Sequence, residues 1–485
     1  MNPQASTHTT MNMTDRAKPP TDHAAADAIA DIVGPKGVVS VDEWAPYLTE
    51  WRGRWTGKPA MIVAPATTQE VSEVVKICSA NNIAITPQGG NTGLVGGQIP
   101  FDGEILLTLK RMRAVRDVSP LNNTMTVEAG VTLAEAQDIA AAAGRLFPLS
   151  IGAEGTCQIG GVVSTNAGGV NVLRYGNTRD LVLGLEAVTP DGRIWNSLKR
   201  LRKDNTGYDL KHLLIGGEGT LGVITAAVLK LFPAPAEKVT AFAGLKTAKD
   251  AVALLSLAQE LSGGAVTSFE FMSRICVELS AKHIPGVRDP LEAAHAFYAL
   301  MEFSSGEKDA LRTMIERLLS RALEQELIQD ATIAENQAQT DELWRMRHAM
   351  SEAITHESFG ARHDVSVATI DIPAFLDKAD AAVKHAVPAA RIVAYGHLGD
   401  GNVHYDVIGS PGAPRDAIDH RREDIEEAVY DVIASFDGSI SAEHGVGRAR
   451  RDSLAKRKSA VEIDMMRAVK AALDPKGIMN PGKML

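Results

Sequence analysis

Two histidines, His397 and His404, stand seven positions apart in "YGHLGDGNVHYDV", a stretch that also contains three glycines. Glycine makes a helix here costly by about 1 kcal/mol per residue, and a straight strand would place residues at an odd separation on opposite faces. A sharp bend through "LGDGN" would instead fold the chain back and let both imidazoles converge. The alternative is a tight turn that merely carries histidines at its edges.

A second stretch, "SAEHGVG" at 441–447, supplies an anionic group. Its Glu443 completes a set of two histidines and one carboxylate, which suits Zn²⁺, Mn²⁺ or Fe²⁺ and leaves an open position for substrate. We therefore predict a divalent metal site formed by His397, His404 and Glu443, with Zn²⁺ as the favoured ion. Non-haem Fe(II) oxygenases use the same ligand types and are an alternative.

Three glycine-rich loops form the other group of residues that could bind a ligand: "PQGGNTGLVGGQ" (87–98), "GAEGTCQIGGVVSTNAGG" (152–169) and "GGEGTLGVIT" (216–225). Consecutive backbone N–H groups in such a loop can surround a phosphate or pyrophosphate. Residues 217–222 match GxGxxG, but the β-branched run after them predicts a strand, whereas the dinucleotide fingerprint opens a helix. The loops therefore indicate a large, extended cofactor other than a nicotinamide bound in the usual way.

The elements around these loops predict an α+β chain. "MIVAPATTQEVSEVVKICSANNIAITPQGG" reads as strand, turn, amphipathic helix and strand, and ends in the first glycine loop. Short β-like runs, such as "TMTVEAG", "LVLGLEAVT" and "VITAAVLKLF", separate the loops up to about residue 225. Longer amphipathic helices from about residue 236 indicate a second domain. The tail predicts a helix that Pro475 stops, followed by an extended end that docks back on the first domain.

The composition bounds the class of protein. A length of 485 residues predicts two or three domains, and a net charge of −10 disfavours a nucleic-acid partner. The three cysteines, Cys78, Cys157 and Cys276, fit neither a disulfide framework nor a metal knuckle, so we expect them to be reduced. The chain has neither a signal-peptide core nor an 18-residue apolar run. We expect a cytoplasmic protein without a transmembrane segment, and peripheral association with the inner membrane face is an alternative.

Six stretches together carry a family resemblance, in family order from about residue 40 onwards: "PQGGNTGLVGGQIP", "CQIGGVVSTNAGGVNVLRYGNTRDLVLGLEAVTPDG", "LRKDNTGYDLKHLLIGGEGTLGVIT", "GHLGDGNVHYDV", "SAEHGVG" and "DPKGIMNPGKML". In these stretches the chain resembles the FAD-linked D-2-hydroxyacid dehydrogenases of the vanillyl-alcohol-oxidase flavoprotein superfamily. The resemblance implies an α+β fold with a two-lobed FAD-binding domain, an α+β cap domain and a C-terminal segment that returns to the flavin. We assign residues 1–40 to a flexible arm, 41–235 to the FAD domain, 236–440 to the cap and 441–485 to the C-terminal active-site loop and helix.

The resemblance also implies which residues bind FAD. Some superfamily members attach FAD through a histidine just after the paired glycines, but Asn91 stands there in this chain, so we expect non-covalent FAD. The residues expected to line the cofactor are Pro87, Gln88, Gly89, Gly90, Asn91, Thr92, Gly93, Gly155, Gly160, Asn166, Gly168, Gly219, Gly222, Ile224 and Asn480.

For the reaction, the resemblance implies the same three metal ligands and adds His444 as the base. His444 would take the hydroxyl proton of a D-2-hydroxy acid while the C2 hydride passes to flavin N5, which gives a 2-oxo acid. The residues expected to contact substrate are Arg347, Ser351, Arg362 and Asn402. Arg347 and Ser351 are one helical turn apart, and an arginine offers a carboxylate a bidentate partner.

Four positions depart from the family pattern and bear on the substrate. His363 stands in place of an aromatic residue and Ala368 in place of a proline. Arg362 replaces a lysine, and Asp406 stands where hydroxyglutarate enzymes tend to carry asparagine. A carboxylate at 406 would disfavour a dianionic substrate, so D-lactate and D-malate remain alternatives to the favoured D-2-hydroxyglutarate. An FAD-using alkyl transferase of the same superfamily is a more distant alternative. We further expect electron-transfer flavoprotein or a quinone as electron acceptor, and a homodimer.

Overall fold

The first lobe is a small parallel sheet covered by helices. The computed structural model describes residues 23–485. Strands β1 (Met61–Val63), β2 (Ile85–Gln88) and β3 (Ile105–Thr108) lie in the order β1-β3-β2. Helix α3 (Thr68–Ala80) begins at Thr67, whose side chain accepts a hydrogen bond from the Glu70 amide, and it buries its apolar face on this sheet. The predicted order of strand, helix and strand is confirmed.

The second lobe is antiparallel. Strands β4 (Val115–Ser119), β5 (Thr124–Glu128), β7 (Val182–Val188), β8 (Ile194–Ser197) and β9 (Val223–Lys230) lie in the order β4-β5-β9-β7-β8, and β6 (Arg145–Leu146) pairs with β10 (Phe232–Pro233). Its helices are α4 (Leu133–Ala142), α5 (Ile159–Ser164), α6 (Val172–Tyr175), α7 (Thr178–Leu181) and α8 (Lys211–Leu214). Strand β9 directly follows the GxGxxG match, so this segment does not open a helix, as predicted.

The second domain is built on a seven-stranded antiparallel sheet in the order β14-β11-β13-β12-β16-β17-β15. The strands are β11 (Glu237–Leu245), β12 (Val266–Ser273), β13 (Phe297–Ser305), β14 (Asp330–Ile333), β15 (Ala361–Ser366), β16 (Arg391–His397) and β17 (Asn402–Ile408). The helices are α9 (Ala248–Ser262), α10 (Arg274–His283), α11 (Arg312–Glu324), α12 (Gln337–His348), α13 (Met350–Glu357), α14 (Ile372–Ala386) and α15 (Arg422–Ala434). Residues of this sheet belong to two different hydrophobic clusters. Its central strands are therefore buried along nearly their whole length.

The amino-terminal part of the described chain differs from the prediction of a flexible arm through residue 40. Helix α1 (His23–Val33) buries Ala25, Ile29 and Val33, which recur every four residues and therefore share one face. That face packs into the core of the first lobe, together with residues of α3. The Val39 amide also donates to Ile62 O at 3.0 Å, so the arm prediction is wrong from residue 23 to 40, and residues 1–22 lie outside the described residues.

The chain ends on the first lobe. After α16 (Arg451–Arg457) and α17 (Ala460–Leu473), the Ile85 amide donates to Ile478 O at 2.8 Å and the Asn480 amide donates to Ile85 O at 2.7 Å. Residues 478–480 thus extend the sheet beside β2, which confirms the predicted docking. Within residues 23–485, every helix is too short or too polar to span a bilayer.

Candidate active site

A cavity of about 870 Å³ lies between the first domain and the seven-stranded sheet. Its wall includes residues of all three glycine loops on one side and the predicted metal ligands on the other. A cavity of this size suits a large ligand together with a small one. Both groups of residues singled out by their chemistry therefore face a common space.

The first glycine loop lines the cavity from Pro87 to Gly93. A Cβ on Gly90 would lie 1.9 Å from the carbonyl oxygen of Thr156, so only glycine allows this loop to approach the second loop so closely. Asn91 adopts φ 55°, and its amide donates to Pro46 O at 2.9 Å and to Thr49 O at 3.0 Å. Asn91 therefore anchors the loop near α2 (Ala45–Leu48) and offers no nucleophile to a cofactor.

The second and third loops close the other sides. Gly160, Gly168, Gly219, Gly222 and Ile224 all lie in the cavity wall. A Cβ on Gly160 would lie 2.8 Å from the Ala129 Cβ, which is closer than side chains pack. Gly219 adopts φ 72°, a backbone conformation that glycine reaches without strain.

Three residues predicted to line the cofactor lie outside the cavity wall. Asn166 accepts a hydrogen bond from the Arg179 amide at 2.9 Å. The amide of Asn480 donates to Gly97 O at 2.8 Å and to Glu218 O at 2.7 Å, and so joins the first loop to the third. Gly155 lies between Glu154 and Thr156, which do line the cavity. Asn480 therefore joins two of the glycine loops, and Asn166 ties the end of the second loop to α7.

The predicted bend at His397 is present. Strands β16 and β17 form a hairpin whose turn contains Gly401, where φ is 81° and a Cβ would lie 2.1 Å from Val367 O. The bend brings the rings of His397 and His404 to a centroid distance of 5.5 Å. Their Nε2 atoms lie 3.8 Å and 3.6 Å from Glu443 Oε1. Both imidazoles therefore face the same Glu443 oxygen, although the potential ligand atoms that lie within 4.8 Å of one another come from His404 and Glu443 and not from His397.

Glu270, on β12, was not predicted from the sequence. It is completely buried; Oε1 lies 2.8 Å from His397 Nδ1, and Oε2 accepts a hydrogen bond from Arg347 Nε at 2.8 Å. A carboxylate on Nδ1 fixes the ring orientation and leaves Nε2 turned toward Glu443, the arrangement common for metal-binding histidines. The only sequence signal was a single acidic residue within the apolar run "TSFEFMS".

Asp364, on β15, was also not assigned a role. It accepts hydrogen bonds from the backbone amides of Glu443 at 3.0 Å and His444 at 2.9 Å, and its Oδ2 lies 3.4 Å from His444 Nδ1. Burial alone would raise the pKa of Asp364, but its interactions with His444, Arg450 and His404 and the hydrogen bond from the Glu443 amide keep the pKa below its ordinary value. Four residues each offer one potential ligand atom, and these atoms all lie within 4.8 Å of one another: Asp364, His404, Glu443 and His444. Asp364 therefore holds the 443–444 loop against the hairpin.

The buried charges divide the imidazoles into two states. Burial lowers the pKa of His397, but Glu270 and Glu443 outweigh burial and raise it to about 10. Burial lowers the pKa of His404 to about 3 and also lowers that of His444. Burial raises the pKa of Glu443, yet His397 brings it down to about 2. Glu270 and Glu443 therefore favour the protonated form of His397, whereas burial favours the neutral forms of His404 and His444.

The predicted substrate residues Arg347, Ser351 and Arg362 line the cavity. Arg347 and Ser351 do not share one continuous helix, since α12 ends at His348 and α13 begins at Met350. Arg347 lies 4.9 Å from the ring of Tyr395, and Arg362 Nη1 donates to Ser351 Oγ at 3.1 Å. Arg347 is thus neutralised by Glu270, whereas Arg362 is bound to a hydroxyl.

The position of Asn402 differs from the prediction of substrate contact. Its Nδ2 donates to Asp364 Oδ1 and to Val365 O, both at 2.9 Å, and it is 4% exposed. Because these bonds turn the amide away from the cavity wall, Asn402 supports Asp364 instead. Asp406, two residues beyond His404, does line the cavity, and burial raises its pKa.

Comparisons with known proteins cover nearly the whole chain. The model of the FAD binding domain matches residues 59–197, and that of the C-terminal domain of FAD linked oxidases matches residues 234–484. A probable mitochondrial D-2-hydroxyglutarate dehydrogenase of Oryza sativa subsp. indica is 36% identical over 457 residues, which cover 94% of this chain and 80% of the relative. A putative mitochondrial D-lactate dehydrogenase of Schizosaccharomyces pombe is 36% identical over 446 residues, which cover 90% and 83%.

Among solved structures, p-cresol methylhydroxylase with bound substrate matches with a TM-score of 0.74 at 17% identity. The match covers 95% of this chain and 96% of the other. At this identity the likeness establishes a shared fold.

Proposed function

The chain belongs to the FAD-linked D-2-hydroxyacid dehydrogenases of the vanillyl-alcohol-oxidase superfamily, and on this basis we propose that it oxidises a D-2-hydroxy acid to the 2-oxo acid, with D-2-hydroxyglutarate as the favoured substrate. The observation that carries the proposal is the convergence of His397, His404, Glu443 and His444 on the cavity that the three glycine loops enclose. An oxygenase would need the histidines and carboxylate but not the loops.

FAD fits the glycine side of this cavity. Gln88 and Gln158 both line it, and the Oε1 atom of each is buried without a hydrogen-bond partner among the described residues. Such acceptors suit the hydroxyl and N–H groups of a flavin nucleotide. Bound FAD supplies the acceptor for the C2 hydride. We propose non-covalent binding, because Asn91 is the residue that follows the paired glycines.

The donor set also fits a divalent metal, held by His397, His404 and Glu443. Imidazole and carboxylate ligands suit Zn²⁺, with Mn²⁺ or Fe²⁺ as alternatives. A divalent ion lowers the pKa of bound water from 15.7 to about 7, and it would acidify a substrate hydroxyl in the same sense. The contact of Glu270 with His397 Nδ1 supports this assignment, since metal-binding histidines commonly have such a partner.

We assign the base role to His444. Asp364 Oδ2 lies near His444 Nδ1, while His444 Nε2 lies 3.9 Å from Glu443 Oε1. This contact orients the ring with Nε2 toward the ligand cluster, and the Asp364 carboxylate would stabilise the imidazolium formed when His444 takes the substrate hydroxyl proton. Arg347, Ser351 and Arg362 would hold substrate carboxylate oxygens.

The second candidate substrate class is the monocarboxylic hydroxy acids, D-lactate in particular. Asp406 favours it, because a carboxylate in the cavity wall repels a second substrate carboxylate. D-malate is a further alternative. We also propose that the protein is a homodimer and that its electron acceptor is electron-transfer flavoprotein or a quinone. Its proposed location is the cytoplasm, with peripheral membrane association as an alternative.

The decisive experiment is anaerobic mixing of the purified holoprotein with a panel of D- and L-2-hydroxy acids, before and after chelation. We expect the visible flavin band to bleach with D-isomers alone and bleaching to be lost after chelation. The His444→Ala variant should retain FAD but no longer be reduced. A flavin-free protein would favour the Fe(II) oxygenase, and a holoprotein that no hydroxy acid reduces would favour the alkyl transferase.

A further inference from the structure

A tight turn places Arg52 in the wall of the active-site cavity. Thr49 and Thr56 form an isolated bridge, and inside it the Gly53 amide donates to Glu50 O at 2.7 Å while Gly53 adopts φ 70°. The left-handed residue closes the turn directly after Arg52. A segment that precedes the first strand of the FAD domain thus contributes a cation to the site, at a position that carries no sequence motif.

Arg52 lacks a protein partner within residues 23–485. Its Nε is buried without a hydrogen-bond partner, and no carboxylate of the described chain lies within ion-pairing distance of its guanidinium. Burial lowers the pKa of Arg52 to about 10, and Arg362 and Arg54 act in the same direction. A half-buried guanidinium that lacks a counter-charge carries a desolvation cost, so this environment is suited to receive an anion.

The charges around Arg52 leave one cation uncompensated. Arg54 pairs with Glu50 at 3.6 Å, which leaves Asp406 as the other carboxylate that acts on Arg52. Arg362 donates to neutral oxygens of Ser351, Thr355 and Phe359 and, like Arg52, forms no ion pair with a described carboxylate. Two arginines therefore share one aspartate at this end of the cavity.

The anion expected here belongs to the substrate. Arg52 lines the same cavity as His444, the proposed base, and as Arg362 and Asp406. Its charge acts to lower the pKa values of His444 and Asp406. Arg347 is already neutralised by Glu270. A substrate whose first carboxylate lies near the metal ligands would bring a second carboxylate, if it has one, to the remaining cations.

We propose that Arg52 determines substrate specificity by binding, together with Arg362, the second carboxylate of a dicarboxylic 2-hydroxy acid. This inference rests on the proposed oxidation of a 2-hydroxy acid and deepens it, because it assigns the substrate class to a residue outside the family motifs. The Asp406 carboxylate then lowers the affinity of this subsite for the second carboxylate without abolishing it.

The test compares two substrates of similar length, D-2-hydroxyglutarate and D-2-hydroxyvalerate, in anaerobic flavin reduction by holoenzyme. Arg52→Met removes the charge and keeps an unbranched side chain, while Arg52→Lys retains the charge. A charge-assisted hydrogen bond corresponds to about a 10- to 100-fold effect, so Arg52→Met should weaken the apparent affinity for D-2-hydroxyglutarate by that factor. D-2-hydroxyvalerate should change less than about threefold, and Arg52→Lys should lie between.

Glutarate supplies a binding readout that requires no turnover. Its perturbation of the flavin spectrum should weaken in Arg52→Met by the same factor, while that of butyrate should not. The control is Arg193→Met, which makes the same change in net charge at an exposed arginine paired with Asp191 at 2.7 Å.

The proposed role of Arg52 would be overturned if Arg52→Met weakened the apparent affinity for both substrates equally or for neither. Loss of FAD from both Arg52 variants would also overturn it. Failure of the proposed function has a different signature, because no D-2-hydroxy acid would then reduce the wild-type flavin. If Arg52→Met does not fold, the test uses Arg52→Lys alone. The measured quantities are then its affinity for glutarate and the ratio of its apparent affinities for D-2-hydroxyglutarate and D-2-hydroxyvalerate.

Discussion

Gly90→Ala should separate the two glycine loops that line the cofactor side of the cavity. Gly90 does not have a positive φ, so the effect of a methyl group there comes from contact alone. The new Cβ would lie 1.9 Å from Thr156 O and 2.7 Å from Thr156 C, and ordinary contact begins at 3.4 Å. The obstacle is backbone, which cannot rotate away, so the loops must move apart by about 1.5 Å.

Overpacking of this kind costs about 1–3 kcal/mol. If FAD binding requires the loops at their native separation, the same free energy appears in the FAD dissociation constant as a roughly 5- to 150-fold increase. The assay is titration of apoprotein with FAD, followed by flavin fluorescence, alongside thermal unfolding of the apoprotein. Gly306→Ala is the control, since its Cβ meets nothing within 4 Å, and it should leave both quantities unchanged. A Gly90→Ala protein that binds FAD as tightly as wild type would refute the reasoning.

Three further predictions concern charged groups. Glu270→Gln should weaken divalent metal binding about 10- to 100-fold in chelator competition, because His397 loses its carboxylate partner; unchanged affinity would exclude this role. Asp406→Asn should increase the affinity for D-2-hydroxyglutarate relative to D-lactate, measured by flavin reduction, and a decrease would contradict the charge argument. Lys282 and then Arg391 lower the pKa of Glu357 to about 2, so its stabilising effect is complete above pH 4.5 and is lost as the pH falls toward 2. The stability difference between wild type and Glu357→Gln in urea unfolding should therefore shrink with acidification, and a constant difference would contradict it.

The sequence predicted the ligands of the candidate metal site because local geometry determines their convergence. Gly396 and Gly401 are required by close backbone contacts in the turn, and a bend at that point brings His397 and His404 together whatever surrounds them. Glu443 and His444 were found by residue type and by family resemblance. The α+β fold followed in the same way from strand and helix periodicity.

Asp364, Glu270 and Arg52 could not be found in that way. Each acts through contacts distant in the chain: Glu270 lies 127 residues from His397, and Asp364 lies 79 from Glu443. Sheet order brings β12 beside β16 and β15 beside β17, and a single sequence does not reveal that order. Helix α1 was missed for a different reason: Ala25, Ile29 and Val33 share one face, but they directly follow a polar stretch and were assigned with it to the arm.

The docking of residues 478–480 beside β2 has a consequence for biosynthesis. The Asn480 amide donates to Gly97 O across 383 residues, so a nascent chain must extend through residue 480 before this contact between the loops can form. Until then the edge of β2 is unpaired, and the carbonyls of Gly97 and Glu218 lack the Asn480 amide. Tight flavin binding is therefore expected only after residues 478–480 have been synthesised, and a variant that lacks this segment should have a folded cap domain but bind little flavin.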